Sequence, residues 1–262
     1  MADIHPSAVV EPGATLDSDV VVGPFCHVGT GVQLSAGVKL HSHVAIVGNT
    51  SIGERTEIYP FASIGHCPQD LKFRGEESRL EIGSDNRIRE YVTMNPGTEG
   101  GGMVTRVGNG GLYMASTHVA HDCQVGDHVI MANNATLAGH VHVGDHAVLG
   151  GLCAVHQFVR IGPHAMIGGM SGVTNDVIPY GMVVGSHAAL SGLNLIGLRR
   201  RGFARDEIDG LRKAYGMLFS DEGTLAERLQ QVEKELGAMS AVRGLIDFVG
   251  SDTSRGMLTP KG

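Results

Sequence analysis

The sequence predicts an all-β plus α protein: a parallel β-helix of hexapeptide repeats over residues 1–187, then a small helical domain over 188–262. Three observations lead there. Aliphatic residues recur every six positions. Small or β-branched residues recur two places before them. After Gly185 the pattern stops and helical spacing takes over.

The six-residue step runs unbroken through Ile4, Val10, Leu16, Val22, Val28, Leu34, Leu40, Ile46, Ile52, Ile58 and Ile64. It resumes at Ile82, Ile88 and Met94, and again from Val107 through Tyr113, Val119 and onward to Val173. Ala8, Ala14, Val20 and Cys26 begin the second series, two places earlier. A helix would need a period near 3.6 and a simple strand a period of 2; a period of six is the mark of a parallel β-helix. Three hexads make one triangular coil of about 18 residues, and coils stack at strand spacing of about 4.7–4.9 Å. Gly often follows the aliphatic, as at Gly53, Gly126, Gly144 and Gly162. That placement suggests corners requiring positive φ.

Two segments interrupt the period. Residues 66–79 mix charge with an aromatic, and the spacing of 18 from Ile64 to Ile82 reads as one full coil. Residues 95–106 form a Gly-rich insertion. Loops leaving a rigid scaffold are where function concentrates. Beyond the repeat, apolar residues at helical spacing predict helices over 203–219, 224–236 and 240–249. Thr224 with Glu227 three places on predicts a capping box.

Composition narrows the function classes. Of 262 residues 39 are Gly, without a period of three, so collagen is excluded. The net charge of −7 gives no support to nucleic-acid binding. No run approaches about 18 apolar residues, so no transmembrane segment is expected. The N-terminus lacks a basic start followed by an apolar run. Four cysteines without a CxxC pair make a cytoplasmic, reduced protein the default.

The 18-residue period also sorts the 14 histidines. His128, His146 and His164 fall on one corner and read as a solvated ladder. The segment Ser116–Cys123 places His121 beside Asp122, with His118 nearby and His140 one coil on. An imidazole of near-neutral pKa is a competent general base, and a carboxylate orients it. Cys123 falls on the small inward position and reads as core rather than nucleophile.

Several passages resemble the bacterial UDP-N-acetylglucosamine O-acyltransferase family, which performs the first step of lipid A biosynthesis. They include Gln69-Asp-Leu-Lys72, Ile88-Arg-Glu90, His118-Val-Ala-His-Asp-Cys123, Ala132 through His140, Ala154-Val-His-Gln-Phe158 and Gly197 through Phe203. The resemblance covers nearly the whole chain. It implies a left-handed winding, a homotrimer with sites between neighbouring β-helices, and no cofactor or metal. The implied reaction moves a (R)-3-hydroxyacyl group from acyl carrier protein to the 3-hydroxyl of a UDP-sugar.

In such enzymes the residue matching His121 takes the hydroxyl proton, that matching Asp122 holds it, and the N–H of that matching Gly139 meets the oxyanion. Gln69, Asp70, Lys72, His118, His140, His156, Gln157 and His187 then belong to the substrate pocket. Asn194, Arg200 and Arg201 belong to the nucleotide side. Gly169, with Met166 and Met170, sets acyl length, and a Gly there suggests a longer chain. The basic stretch with Arg205, Arg212 and Lys213 suits docking of the acidic carrier protein. Two departures stand out: Ile196 where an acidic residue is common, and Asn95-Pro96 where the enteric form has His-Arg. The first leaves open whether the acceptor is UDP-GlcNAc or its 3-amino analogue.

Other readings are weaker. The related glucosamine N-acyltransferase usually carries an added N-terminal domain, and here the hexads begin at Ile4. A γ-type zinc carbonic anhydrase would use three His on Zn²⁺, but no two histidines here are five apart. A β-helix serving only as a binding rod gives no reason for His121 beside Asp122.

Overall fold

The computed structural model describes residues 1–251 and 253–260. The chain winds as a left-handed parallel β-helix whose two-residue strands stack into three sheets. The first sheet begins with Asp3–Ile4 and Val21–Val22, the second with Val9–Val10 and His27–Val28, and the third with Thr15–Leu16 and Gln33–Leu34. The aliphatic of every hexad points inward. Val22, Val28, Leu40, Ile46, Ile64, Met131 and Leu149 are all buried, as are the small residues two places before, such as Val20, Cys26 and Ala62. Ile4, on the open end of the prism, stays exposed. Burial of one such side chain contributes about 1.5–3 kcal/mol, so the repeat itself is the core.

Register fixes what each insertion does. Undisturbed coils pair residues 18 apart, as with Ile4 and Val22 or Met131 and Leu149. Across the first loop Ile58 pairs with Ile88 and Ile64 with Met94, 30 residues on, while Ile82 pairs with Ile52. Ile64 and Ile82 therefore lie on adjacent faces and are not one coil apart, contrary to the reading of their spacing. The loop adds 12 residues, two hexads' worth, which preserves the period of six without completing a turn. Across the second insertion Met94 pairs with Val119, 25 residues on, so seven are added and the phase breaks.

The corners also differ from expectation. The left-handed residue is the third after the inward aliphatic, and it is rarely Gly: Phe25, His43, Phe61, Asp122, His140, His146 and Phe158 all have φ near +60°. The glycines directly after the aliphatics serve close approach instead. At Gly144 a Cβ would lie 2.5 Å from Pro163 N in the next coil. The price of each αL corner is offset by stacking of the side chains it projects. Phe25, His43, Phe61 and Tyr91 stack at centroid distances of 5.0–5.2 Å along one edge, and the three aromatics other than His43 are largely exposed.

The His128–His146–His164 ladder is stacked at 4.8 Å steps. It is not simply solvated. It continues into Tyr180, and Phe203 caps it edge-on at 5.1 Å from His164. Burial, with His146 and Arg201 nearby, pushes His164 down to about 4.

The first sheet ends with Gly181–Val184, parallel to Met166–Ile167, and Ala189–Leu193, antiparallel to it. Four helices follow: α1 (Leu195–Arg200), α2 (Arg205–Leu218), α3 (Leu225–Leu236) and α4 (Ser240–Gly250). Thr224 and Glu227 form the expected capping box. Leu211, Leu218, Val232 and Leu245 bury the faces that join α2, α3 and α4.

Candidate active site

Asp122 occupies the corner between the second and third sheets, at φ +61°, and His121 precedes it there. The His121 Nδ1 lies 2.8 Å from Asp122 Oδ2. A carboxylate only accepts, so Nδ1 is the protonated nitrogen and Nε2 keeps its lone pair. The Asp122 side chain is fully buried and His121 is 14% exposed. This gives a base with one wet face, oriented by a carboxylate that water does not reach.

The second insertion holds that carboxylate. Thr98 donates its N–H to Oδ1 at 2.8 Å and its hydroxyl to Oδ2 at 2.6 Å. Asp122 in turn donates its N–H to Thr105 Oγ1 at 2.7 Å. The next coil supplies the floor. A Cβ on Gly139 would lie 2.4 Å from His121 Cε1, so the imidazole rests on bare backbone. The Gly139 N–H has no acceptor among the described residues. His140 meets His121 edge-on at 5.0 Å and stacks on Phe158 at 4.4 Å. Burial lowers the pKa of His140, with Asp122 and Asp70 acting in the opposite sense. His118 donates or accepts at Thr93 Oγ1, 2.7 Å away, and burial lowers its pKa too. These imidazoles are neutral acceptors or donors, not cations, at neutral pH.

The remaining expected residues fall into separate groups. On the first loop, Asp70 accepts from Lys72 N, while Gln69 and Lys72 are exposed. His156 and Gln157 are exposed beside Phe158, and Gln157 O accepts from Arg255 Nε. Asn194, Arg200 and Arg201 are elsewhere, in a groove of about 650 Å³ on the first sheet with Met166 and Ile196. That sheet is the prism face opposite the His121 corner. Asn194 caps α1, accepting from Gly197 N and donating to His164 O. Arg201 donates to His146 O, and Arg200 is exposed. Gly169 and Met170 lie on the corner between the first and second sheets, with Met170 72% exposed. His187 is exposed just beyond. Arg205 and Arg212 both face Asp209 at 3.8 Å, and Lys213 pairs with Glu235 at 2.7 Å.

Cys123 is buried and its thiol is pushed up to about 12, which removes it as a nucleophile near neutrality. His121, Asp122 and His140 bring potential metal-ligating atoms within 4.8 Å of one another. The Asp122 carboxylate, however, already accepts three hydrogen bonds, which suits orientation of a base. Thr98 and Thr93 escaped sequence reasoning. Neither obeys a spacing rule relative to the histidines; both are brought in by register across an insertion.

Comparison with known proteins agrees with this geometry. Residues 176–258 match the family model described as UDP N-acetylglucosamine O-acyltransferase, domain 2. The chain is 54% identical over 258 residues to the acyl-[acyl-carrier-protein]–UDP-N-acetylglucosamine O-acyltransferase of Caulobacter vibrioides, covering 98% of each chain. It is 49% identical to the enzyme of that name from Thermodesulfovibrio yellowstonii, covering 95% of this chain and 96% of that one. The solved LpxA of Acinetobacter baumannii superposes with a TM-score of 0.94 at 44% identity, covering 97% of this chain and 99% of that one.

Proposed function

The chain belongs to the UDP-N-acetylglucosamine O-acyltransferase family, and from that premise we propose that it moves a (R)-3-hydroxyacyl group from acyl carrier protein to the 3-hydroxyl of UDP-GlcNAc, with His121 as general base. The product enters lipid A biosynthesis. The observation that carries the assignment of the base is the His121–Asp122 pair, its outer nitrogen unspent and its inner one fixed at 2.8 Å.

The sugar hydroxyl gives its proton to His121 Nε2 as its oxygen attacks the thioester carbonyl. Asp122 stabilises the resulting imidazolium. The Gly139 N–H receives the oxyanion, a donor of the kind worth about 2.7–4 kcal/mol. Collapse expels the carrier thiolate, which takes the proton from His121. Thioester activation makes a covalent enzyme intermediate unnecessary. Asp70, Lys72, His118, His140, His156 and Gln157 hold the sugar and acyl groups near this corner.

We infer that the working unit is a cytoplasmic homotrimer. Within one chain the base and the groove of Asn194, Arg200 and Arg201 stand on opposite sides of the prism, and a neighbouring copy joins them. The exposed ridge of Phe25, Phe61 and Tyr91 supports this, because apolar edges of that extent are covered in assemblies. Arg205, Arg212 and Lys213 form the docking patch for the acidic carrier protein, and Gly169 with Met166, Met170 and His187 shapes the acyl slot.

The test is mass-spectrometric turnover with UDP-GlcNAc, its 3-amino analogue and a panel of 3-hydroxyacyl carrier-protein donors. O-acylated UDP-GlcNAc is expected. Exclusive acylation of the amine would overturn the choice of acceptor and point to Ile196.

A further inference from the structure

We propose that Thr98, in the Gly-rich insertion, is a positioning residue for the acyl transfer, acting through Asp122. The inference rests on His121 being the base. Asp122 has a fully buried carboxylate whose partners from outside its own strand end are both on Thr98: N–H to Oδ1 at 2.8 Å and hydroxyl to Oδ2 at 2.6 Å. Two donors from one residue fix both oxygens and so fix the plane of the carboxylate. That plane decides where Oδ2 meets His121 Nδ1.

The local structure indicates that the hydroxyl is not spent on its own loop. Thr98 precedes the 3₁₀ turn Glu99–Gly101, where a Thr normally caps by accepting from a following N–H. Here no such side-chain cap forms. The Thr98 carbonyl takes over, accepting from Gly101 N and Met103 N at 3.0 Å. The hydroxyl is thereby released towards Asp122. The turn also closes on the carboxylate from the other side: a Cβ on Gly101 would lie 1.9 Å from Asp122 Cγ. The seven residues that break the hexad phase thus build a socket for one catalytic carboxylate.

The function of the socket is to keep Asp122 ionised and aimed. A buried carboxylate without donors rises in pKa and can turn away from the imidazole. With the Thr98 hydroxyl lost, His121 is held less well in the tautomer that leaves Nε2 free. The substrate groups are untouched, so binding is preserved.

The experiment measures kcat and KM for Thr98→Val, Thr98→Ser, Asp122→Asn and the Thr98→Val/Asp122→Asn double variant, with His121→Ala as control and thermal unfolding alongside. Hydrogen bonds to charged groups are worth about 1.5–3 kcal/mol, so Thr98→Val is expected to lose about 10- to 100-fold in kcat with KM within about twofold. Thr98→Ser keeps the donor and is expected to stay within about threefold of wild type. In the Asp122→Asn background the Val substitution is expected to add little, because residues acting as a unit are non-additive. A kcat within about twofold of wild type for Thr98→Val, or losses that multiply in the double variant, would overturn the proposal. If the Val variant does not fold, Thr98→Ala is read by the same criteria. Full turnover by His121→Ala would instead overturn the underlying reading of the base.

Discussion

His121 rests on Gly139: the imidazole edge fills the space where a Cβ at residue 139 would sit, 2.4 Å from Cε1. The base and the oxyanion donor are therefore stacked one coil apart in a single rigid corner. Rigid spacing of this kind is what lets a thioester carbonyl lie between Nε2 and the Gly139 N–H at once.

Gly139→Ala should push the imidazole off that floor while leaving the N–H in place. A displacement of about 1 Å costs about 10²-fold in rate. Steady-state kinetics should show that loss in kcat, with the unfolding temperature near that of wild type, because the clash meets a side chain with room on its solvent side.

The joint between prism and helices depends on a buried ion pair. Asp176 is wholly buried and accepts from Arg160 N, Arg160 Nε and Thr253 Oγ1 at 2.6–2.8 Å. Removing one partner of such a pair costs about 3–5 kcal/mol. Asp176→Ala should lower the denaturant midpoint by a corresponding amount. An unchanged midpoint would mean that the C-terminal segment holds by apolar packing alone.

The fold was legible in the sequence because its rule is local and repeated; each hexad states the same inward position. The insertions were less so. The 12-residue loop imitates a coil because 12 is a multiple of six, and only strand pairing separates the cases. The histidine ladder was read as solvated because nothing in residues 128–164 announces that Phe203 folds back over it. Asp122 and His121 were legible as neighbours, whereas Thr98 was not, since a phase-breaking insertion brings it there. The two halves of the site were named from resemblance, and the sequence alone gave no indication that they face apart in one chain.

Stability should depend on pH through the covered ladder. His164 is pushed down to about 4 in the folded chain, against about 6.5 when unfolded. The unfolded state therefore binds the extra proton first, and stability present above about pH 6.5 is lost progressively towards about pH 4. The groups facing His164 are His146, Arg201 and Asp145, and of these only Asp145 favours its charge. Urea midpoints measured between pH 8 and pH 5 should fall with acidification. His164→Phe, which keeps the stack between His146 and Tyr180, should flatten that fall. It should not abolish it, because burial also lowers the pKa of His118, His140, His142 and His146.

Acyl length should respond to residue 169. A Cβ there would meet Gly151 O at 3.2 Å and little else, so a side chain can be carried with a small adjustment. Gly169→Met should shift preference to shorter 3-hydroxyacyl donors, read as a changed ranking in competition among donors of different length. An unchanged ranking would remove Gly169 from the acyl slot.

The central claim is that His121 removes the sugar proton, and the most direct measurement is the single-turnover rate of UDP-GlcNAc acylation by His121→Ala beside wild type. General-base catalysis contributes about 10²- to 10⁴-fold. The expected result is a rate lower by that range, with acceptor affinity retained and the unfolding transition unchanged. A variant within tenfold of wild type would contradict the account and require another group at this corner to take the proton.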